Sequence, residues 1–332
     1  MTEVCFPAYL VSDHGDGGQC GQVTELTTNE LPAGDLLIQV SWSALNYKDA
    51  LAAQGQKGVV KRLPHVPGID AAGVVVEGND MMPTGTQVIV TGYELGAGHW
   101  GGWSRYIRVP YEWAVPLPST LSLREAMIYG TAGFTAAQSM MALERCSITP
   151  AAGQVVVTGA TGGVGSLAVG LLSKLGFEVI ASTGKANYAD WLRSLGARQI
   201  IDRDQVIDTS PSPLLEARWA GAIDTVGGAT LATLVRSMRH RGCVAACGLV
   251  GGNDLALTVF PFLLRGVTLA GIDSAKCPAE PRQEVWRRLA GPWKLDDLES
   301  LATTITLPEI GDAVERILAG GCVGRTLVDL EN

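Results

Sequence analysis

Residues Gln154 to Ala168 read Gln-Val-Val-Val-Thr-Gly-Ala-Thr-Gly-Gly-Val-Gly-Ser-Leu-Ala, an apolar strand that enters a glycine turn and then the small-residue start of a helix. Val155, Val156 and Val157 carry the strand, and Leu167, Val169, Leu171, Leu172 and Leu175 recur at helical spacing behind it. Gly162 and Gly165 let backbone approach a phosphate, or a helix approach a strand, and the first amides of the helix aim partial positive charge at an anion. A pyrophosphate is therefore expected at this turn. The first glycine of the GxGxxG fingerprint is Ala160 here. The strand before and the helix after are the context that separates the fingerprint from a glycine turn without a ligand.

The rhythm of the chain changes around this segment. From Pro7 to Pro116, short alternating runs such as Leu36 to Val40, Gly73 to Val76 and Gln87 to Val90 are broken by glycine and proline, which predicts an antiparallel, mostly β domain. Leu123 to Leu143 carries a helical pattern around the turn Gly130-Thr131-Ala132-Gly133 and is expected to cross into a second domain. Beyond Gly153, parallel strands are predicted at Val155 to Thr158, Glu178 to Ser182, Gln199 to Ile201, Ala222 to Val226, Cys243 to Ala246 and Thr268 to Ile272. Six strands with helical crossovers imply an α/β, doubly wound Rossmann sheet. Pro281 to Leu289 reads as a helix leaving that sheet, and Val323 to Leu330 as a strand returning to the first domain. The expected organisation is thus residues 1–124, a nucleotide domain over 125–272, and a return over 273–332. The run Val259 to Leu264, with Val267 to Ala270, is expected either to form an edge strand that pairs with a second copy or to be buried as a last strand and helix.

The chain has 332 residues, more than one core usually serves, so two domains are expected. With 47% hydrophobic and 17% charged residues it reads as an ordinary enzyme, and no apolar run reaches the roughly 18 residues of a membrane span. Glu3 and Pro7 interrupt any signal-peptide pattern in Met1 to Leu10, which points to the cytoplasm. A net charge of −8 argues against nucleic acid as a partner. A polyanionic small ligand would need a local patch, for which Lys57, Lys61 and Arg62, Arg105 and Arg108, or Arg236, Arg239 and Arg241 are candidates; each also reads as solvated charge. The cysteines (Cys5, Cys20, Cys146, Cys243, Cys247, Cys277, Cys322) are scattered and read as buried thiols of a reducing compartment. The histidines (His14, His65, His99, His240) are equally dispersed, so no metal site is expected.

An NAD enzyme places a carboxylate at the end of the second strand of the nucleotide sheet to accept the ribose hydroxyls. Here Ser182, Thr183, Gly184 and Lys185 stand instead, and Arg203 follows the third strand. Hydroxyls and cations without an acid suit a 2'-phosphate, so NADPH is the expected cofactor. In the first domain the densest polar cluster is Ser43 to Asp49. Tyr47 offers a ring to pack on a nicotinamide and a hydroxyl to donate, and Asn46 and Asp49 offer groups that orient an amide or carbonyl. The plain alternatives are Tyr47 in a core, Asp49 as a helix cap and Lys48 on a solvated face.

Over nearly its whole length the chain resembles the zinc-free medium-chain dehydrogenase/reductase superfamily, and within it the quinone oxidoreductase-like group that includes NADPH-dependent acryloyl-CoA reductases. The resemblance is carried by Ser43 to Leu51 (SALNYKDAL), Pro67 to Gly73 (PGIDAAG), His99 to Ser104 (HWGGWS), Gly130 to Ala136 (GTAGFTA), Thr158 to Ser166 (TGATGGVGS), Ala222 to Gly227 (AIDTVG), Ala245 to Gly251 (AACGLVG), Phe260 to Asp273 (FPFLLRGVTLAGID) and Gly324 to Leu327 (GRTL). It implies a GroES-like catalytic domain interrupted by the Rossmann domain. Where zinc-dependent members carry a catalytic cysteine and a Gly-His-Glu motif, this chain has Asn46 and Gly68-Ile69-Asp70, and the lobe of clustered cysteines is missing.

By the resemblance, Tyr47, Thr161, Gly162, Gly163, Val164, Gly165, Ser182, Thr183, Gly184, Lys185, Arg203, Leu249 and Ser274 contact NADPH, and Asn46, Tyr47, Asp49 and Arg325 form the catalytic group. Without a Lewis acid, the implied chemistry is reduction of the activated double bond of a short enoyl-CoA, acryloyl-CoA to propanoyl-CoA, by hydride transfer to the β-carbon and protonation of the α-carbon by solvent or Tyr47. A quinone or enone reductase is the alternative enzyme, and a non-catalytic NADPH-binding or RNA-binding protein the alternative of another class. A homodimer is expected from related dimers.

Overall fold

Alternation of buried and exposed side chains builds the first sheet of the protein, a computed structural model that describes residues 3–13 and 19–332. His14 and the side chain of Cys20 lie outside the described residues. Strands β1 (Cys5–Asp13) and β2 (Gln19–Thr27) pair antiparallel as a two-stranded sheet. β3 (Leu36–Leu45) leads directly into helix α1 (Tyr47–Ala53), and β4 (Asp70–Glu77), β5 (Gln87–Thr91), β6 (Tyr106–Val109) and β7 (Ala114–Pro116) follow. The inward residues of these strands, among them Ile38, Val40, Val75, Val88, Val90 and Ile107, pack around Trp103 as one apolar core. Helix α2 (Leu123–Arg145) is broken at Gly130, whose φ of 47° and ψ of −153° are not helical.

The second sheet is parallel throughout. β8 (Val155–Val157), helix α3 (Gly163–Lys174), β9 (Val179–Thr183), α4 (Ala189–Ser194), β10 (Gln199–Asp202), β11 (Trp219–Asp224), α5 (Gly228–Arg236), β12 (Met238–Ala246), α6 (Phe260–Arg265) and β13 (Thr268–Gly271) alternate along the chain. The strands lie in the order β10-β9-β8-β11-β12-β13. This is the 3-2-1-4-5-6 arrangement whose order reverses between its first and fourth strands, leaving a crevice at their carboxyl ends. Val156, Ile180, Ala222 and Val244, at successive positions across the sheet, are fully buried.

The chain then adds α7 (Ala279–Leu289), β14 (Ala302–Thr306), α8 (Ile310–Leu318) and β15 (Arg325–Asp329). β15 pairs antiparallel with β3 and parallel with β14, completing a seven-stranded sheet, β14-β15-β3-β4-β5-β7, with β6 on β3. Two compact units result: Met1–Thr131 with Ala275–Ala290 and Asp297–Asn332, and Ala132–Ser274 with Gly291–Asp296. The boundaries expected at 124/125 and 272/273 lie at 131/132 and 274/275, because α2 divides at its Gly130 break and not at its start.

Two expectations are corrected. Val259 to Leu264 does not extend an edge strand: Pro261 in the first turn starts α6, and Leu263 and Leu264 are exposed on it, so the buried alternative fails as well. The edge strand itself is β13. The cysteines are not uniformly buried: Cys243 and Cys277 are, but Cys5 is exposed at the outward start of β1, and Cys146, Cys247 and Cys322 are half-buried. No helix among the described residues is long and apolar enough to cross a membrane.

Candidate active site

Helix α1 begins where β3 ends, and the residues at that junction are tied down by charge. Asp49, in the first turn, reaches back so that Oδ2 accepts from the Asn46 backbone N–H at 2.8 Å and from Asn46 Nδ2 at 3.0 Å, while Oδ1 accepts from the Ile69 N–H at 2.8 Å. The cap alternative is thus the geometry found. Asn46 Nδ2 also donates to Asp70 Oδ2 at 2.9 Å, and its Oδ1 accepts from Arg325 Nη1 at 3.1 Å. With two carboxylates on one side and a guanidinium on the other, the orientation of the Asn46 amide is determined by its neighbours.

Asp70 is the centre of this network. It is fully buried at the start of β4; Oδ1 accepts from Thr131 Oγ1 at 2.6 Å and from the Thr131 N–H at 2.9 Å, and Oδ2 lies 3.6 Å from Arg325 Nη2. Arg325, buried at the start of β15, donates through Nε to the Ile128 carbonyl at 3.0 Å and through Nη2 to the Met127 carbonyl at 3.5 Å. The break in α2 therefore has a cation on the carbonyl end of its first half and a carboxylate on the amide end of its second, each matching the local helix dipole. Gly130 is required there: a Cβ would stand 2.5 Å from Asp70 Oδ2 and 2.8 Å from Arg325 Nη2, at a positive φ that other residues resist.

Burial, and then the Asp70 charge, push the Asp49 carboxyl up from its usual range to about 7, against the pull of its three hydrogen bonds. Burial likewise draws the Arg325 guanidinium down, while Asp70 and Asp49 push it back up. Tyr47, at the first position of α1, is not in a core: its side chain is exposed, and so is Lys48. Of the four residues expected in the catalytic group, Tyr47 alone presents an exposed side chain, while Asn46, Asp49 and Arg325 hold one another beneath it. A zinc ion does not fit this group. It offers no cysteine or histidine, a guanidinium stands beside Asp70, and among the described residues no three His, Cys, Asp or Glu side chains gather as a metal site.

In the second unit, the carboxyl ends of β8, β9 and β11 meet at the glycine turn. Thr158 Oγ1 donates to the buried Asp224 Oδ1 at 2.6 Å and accepts from the Thr225 N–H at 3.1 Å, joining β8 to β11. Helix α3 starts behind Gly162 with no side chain capping its amides, and Gly162, Gly163 and Val164 are half-exposed. Gly165 is buried where a Cβ would stand 2.8 Å from Ala160 Cα, the close packing of helix on strand that the fingerprint demands. An uncapped, half-exposed helix start fits a pyrophosphate.

At the end of β9, Thr161 and Thr183 share a hydrogen bond of 3.1 Å, and Thr183 Oγ1 accepts from the Lys185 N–H at 3.1 Å. Arg203 lies across Gly184, so near that a Cβ on that glycine would stand 2.9 Å from Nε. No carboxylate interrupts Ser182 to Lys185. Lys185 and Arg203 thus flank one short segment, which fits the 2'-phosphate of NADPH. Ser182 is buried, and among the described residues its hydroxyl has no partner. Leu249, exposed, follows β12, and Ser274 follows β13.

Asp70, Gly130, Thr131, Thr158 and Asp224 stand in the sequence reading only within turns and motifs, with no role at the site. The available signal was a lone acid inside an apolar run, Asp70 in Ile69 to Val76 and Asp224 in Ala220 to Val226, since an acid there must be paired.

Two family models match the chain: an alcohol dehydrogenase GroES-like domain over residues 32–119 and a zinc-binding dehydrogenase domain over residues 163–291. YhfP of Bacillus subtilis (strain 168), provisionally named a quinone oxidoreductase, is 46% identical over 93% of this chain and 94% of its own length. The acrylyl-CoA reductase AcuI of Ruegeria pomeroyi is 45% identical over 98% of this chain and 99% of its own. Among solved structures, the yhdH oxidoreductase of Salmonella enterica in complex with NADP superposes with a TM-score of 0.94 at 46% identity, covering 97% of this chain and 99% of that one. B. subtilis yhfP with NAD bound superposes with a TM-score of 0.95 at 45% identity, covering 98% and 100%.

Proposed function

The chain belongs to the medium-chain dehydrogenase/reductase superfamily, in its quinone oxidoreductase-like group, and on that premise we propose that it reduces the carbon–carbon double bond of a short enoyl-CoA, taking acryloyl-CoA to propanoyl-CoA. It is an oxidoreductase, and its coenzyme is NADPH. The acid-free segment at the end of β9, with Lys185 and Arg203 against Gly184, supports the choice over NADH, as does the NADP in the Salmonella relative. The observation that carries the substrate is the likeness to AcuI over almost the full length of both chains.

Thr161 to Gly165, Thr183 to Lys185 and Arg203 hold the coenzyme, Leu249 and Ser274 adding contacts. NADPH when bound supplies the hydride that reaches the β-carbon. Tyr47 presents its ring and hydroxyl from the start of α1 and delivers the proton to the α-carbon. Asn46, Asp49, Asp70 and Arg325 act beneath it as positioning residues that hold the β3–α1 junction. Holding reactants in one geometry contributes much of such a rate, and a thioester already delocalises charge developing at its α-carbon without a metal.

Quinone or enone reduction is the second reading, favoured by the likeness to YhfP. Relative kcat/KM on acryloyl-CoA, crotonyl-CoA and a simple quinone separates the two: acryloyl-CoA leads by the first reading, the quinone by the second. The protein acts in the cytoplasm, consistent with six described cysteine side chains that form no disulfide. It works as a homodimer through the β13 edge, beside which Val259, Phe260, Leu263 and Leu264 expose apolar surface; light scattering at twice the chain mass is the expected result.

A further inference from the structure

We propose that Lys48, Lys61 and Lys276, gathered around Glu94 on the first unit, form the subsite that holds the phosphates of the substrate's coenzyme A handle, with Glu94 as the resident counter-ion that those phosphates displace. The inference rests on the enoyl-CoA reading and names the part of the protein that grips the carrier.

Two of the three basic patches legible in the sequence are engaged by the fold. Arg105 Nη1 donates to the Val40 carbonyl at 2.7 Å, Arg108 Nη1 pairs with Glu77 at 2.9 Å, and Arg236 Nη1 donates to the Ser210 and Ser212 carbonyls at 2.9 Å each. The stretch from Tyr47 to Val66 differs. It carries Lys48, Lys57, Lys61 and Arg62, all exposed, and its one acid, Asp49, is buried. In a chain of net charge −8 this is a local reversal of sign.

Glu94 gathers that charge. Lys61 Nζ donates to its Oε2 at 2.6 Å, with the lysine side chain 69% and the glutamate 41% exposed. Lys276 is brought to the same place by backbone: the Tyr93 N–H donates to the Ala275 carbonyl at 2.8 Å, which ties the residue before Glu94 to the residue before Lys276. The hydrogen bond from Lys61, then the charges of Lys61, Lys276 and Lys48, hold the Glu94 carboxyl below its usual range. Lys61 touches the carboxylate and Lys276 and Lys48 add their charge near it, so cations outnumber the acid at this place. Lysine ammonium groups are mobile point charges that suit phosphate.

The platform is rigid. Tyr93, at a φ of 51°, is held between the Arg282 guanidinium, 4.2 Å from its ring, and Trp113, stacked at 5.5 Å with planes 5° apart. Lys48 adjoins Tyr47, so the patch continues from the residue that faces the acyl group, and the long arm between thioester and nucleotide gives the phosphates reach along it.

The test uses acryloyl-CoA and acryloyl-N-acetylcysteamine, the same thioester with and without nucleotide phosphates. For the double variant Lys61→Ala/Lys276→Ala, the ratio of their KM values should rise about tenfold, and in Glu94→Gln it should fall by about threefold, both effects shrinking as salt is added. A gain of affinity cannot come from misfolding, so the second variant keeps the test sound. If neither ratio moves while the wild-type enzyme reduces both thioesters, the subsite is wrong and the function stands. If the wild-type enzyme reduces neither thioester, the function falls, and titration calorimetry with free coenzyme A decides the subsite: weaker binding in the double variant and tighter in Glu94→Gln support it, and unchanged or absent binding overturns it.

Discussion

Asp70→Asn tests whether the buried network is held by charge. The substitution keeps size and shape but leaves Arg325, 2% exposed, without the carboxylate 3.6 Å away. Removing one partner of a buried pair costs about 3–5 kcal/mol. The new amide must also turn an N–H₂ either toward Asn46 Nδ2 or toward the Thr131 N–H, both of which now donate to Asp70. One effect works the other way: with Asp70 neutral, Asp49 loses the repulsion that helps to raise its carboxyl and ionises more readily, supplying a second anion for Arg325. A net loss near 3 kcal/mol is the expected result at neutral pH. In Asp70→Asn/Arg325→Met no guanidinium is left uncompensated, so the double variant should lose less than the two singles added, by about 2 kcal/mol. Urea unfolding followed by circular dichroism reads all four proteins. A loss below about 1 kcal/mol in the single variant, or strict additivity in the double, would refute the reasoning.

The pH dependence of stability follows from Asp49. Its carboxyl moves from an ordinary 3.8 to about 7 on folding, so between those values the folded state holds a proton that the unfolded state has lost. The contribution is therefore fully present below 3.8 and is lost as pH rises to about 7, by up to a few kcal/mol. Asp49→Asn should flatten that slope, and an unchanged slope in urea titrations across the window would assign it to another group. Lys185→Glu places an anion where the 2'-phosphate is held and should lower the ratio of kcat/KM for NADPH over NADH by about 10- to 100-fold; an unchanged ratio would remove Lys185 from the coenzyme site. Tyr47→Phe should lower kcat by about 100-fold, with the KM for NADPH little altered. Full turnover would hand the proton step to solvent.

Much of the fold was legible because its signals are local. Val155 to Val157 and Val179 to Thr183 are apolar runs bounded by glycine, and the parallel strands fall within a few residues of where those runs place them. The glycine turn, the missing acid after β9 and the polar junction at Asn46 to Asp49 were legible for the same reason. The partnership of Asp70 with Arg325 was not, since 255 positions separate the two and no period links them; only the pairing of β15 on β3 brings them together. The convergence of Lys276 on Glu94 is equally non-local. Whether Val259 to Leu264 forms a strand or a helix was left open because the run is apolar on every side, and only the proline in its first turn separates the two there.

The most direct measurement follows the transferred hydrogen. Purified protein is mixed with acryloyl-CoA and NADPH carrying deuterium at the transferable position of the nicotinamide, and the thioester is analysed by mass spectrometry. The account predicts propanoyl-CoA with one deuterium on the β-carbon, formed in step with loss of the reduced nicotinamide absorbance. Unreacted acryloyl-CoA, or propanoyl-CoA without the label, would contradict it.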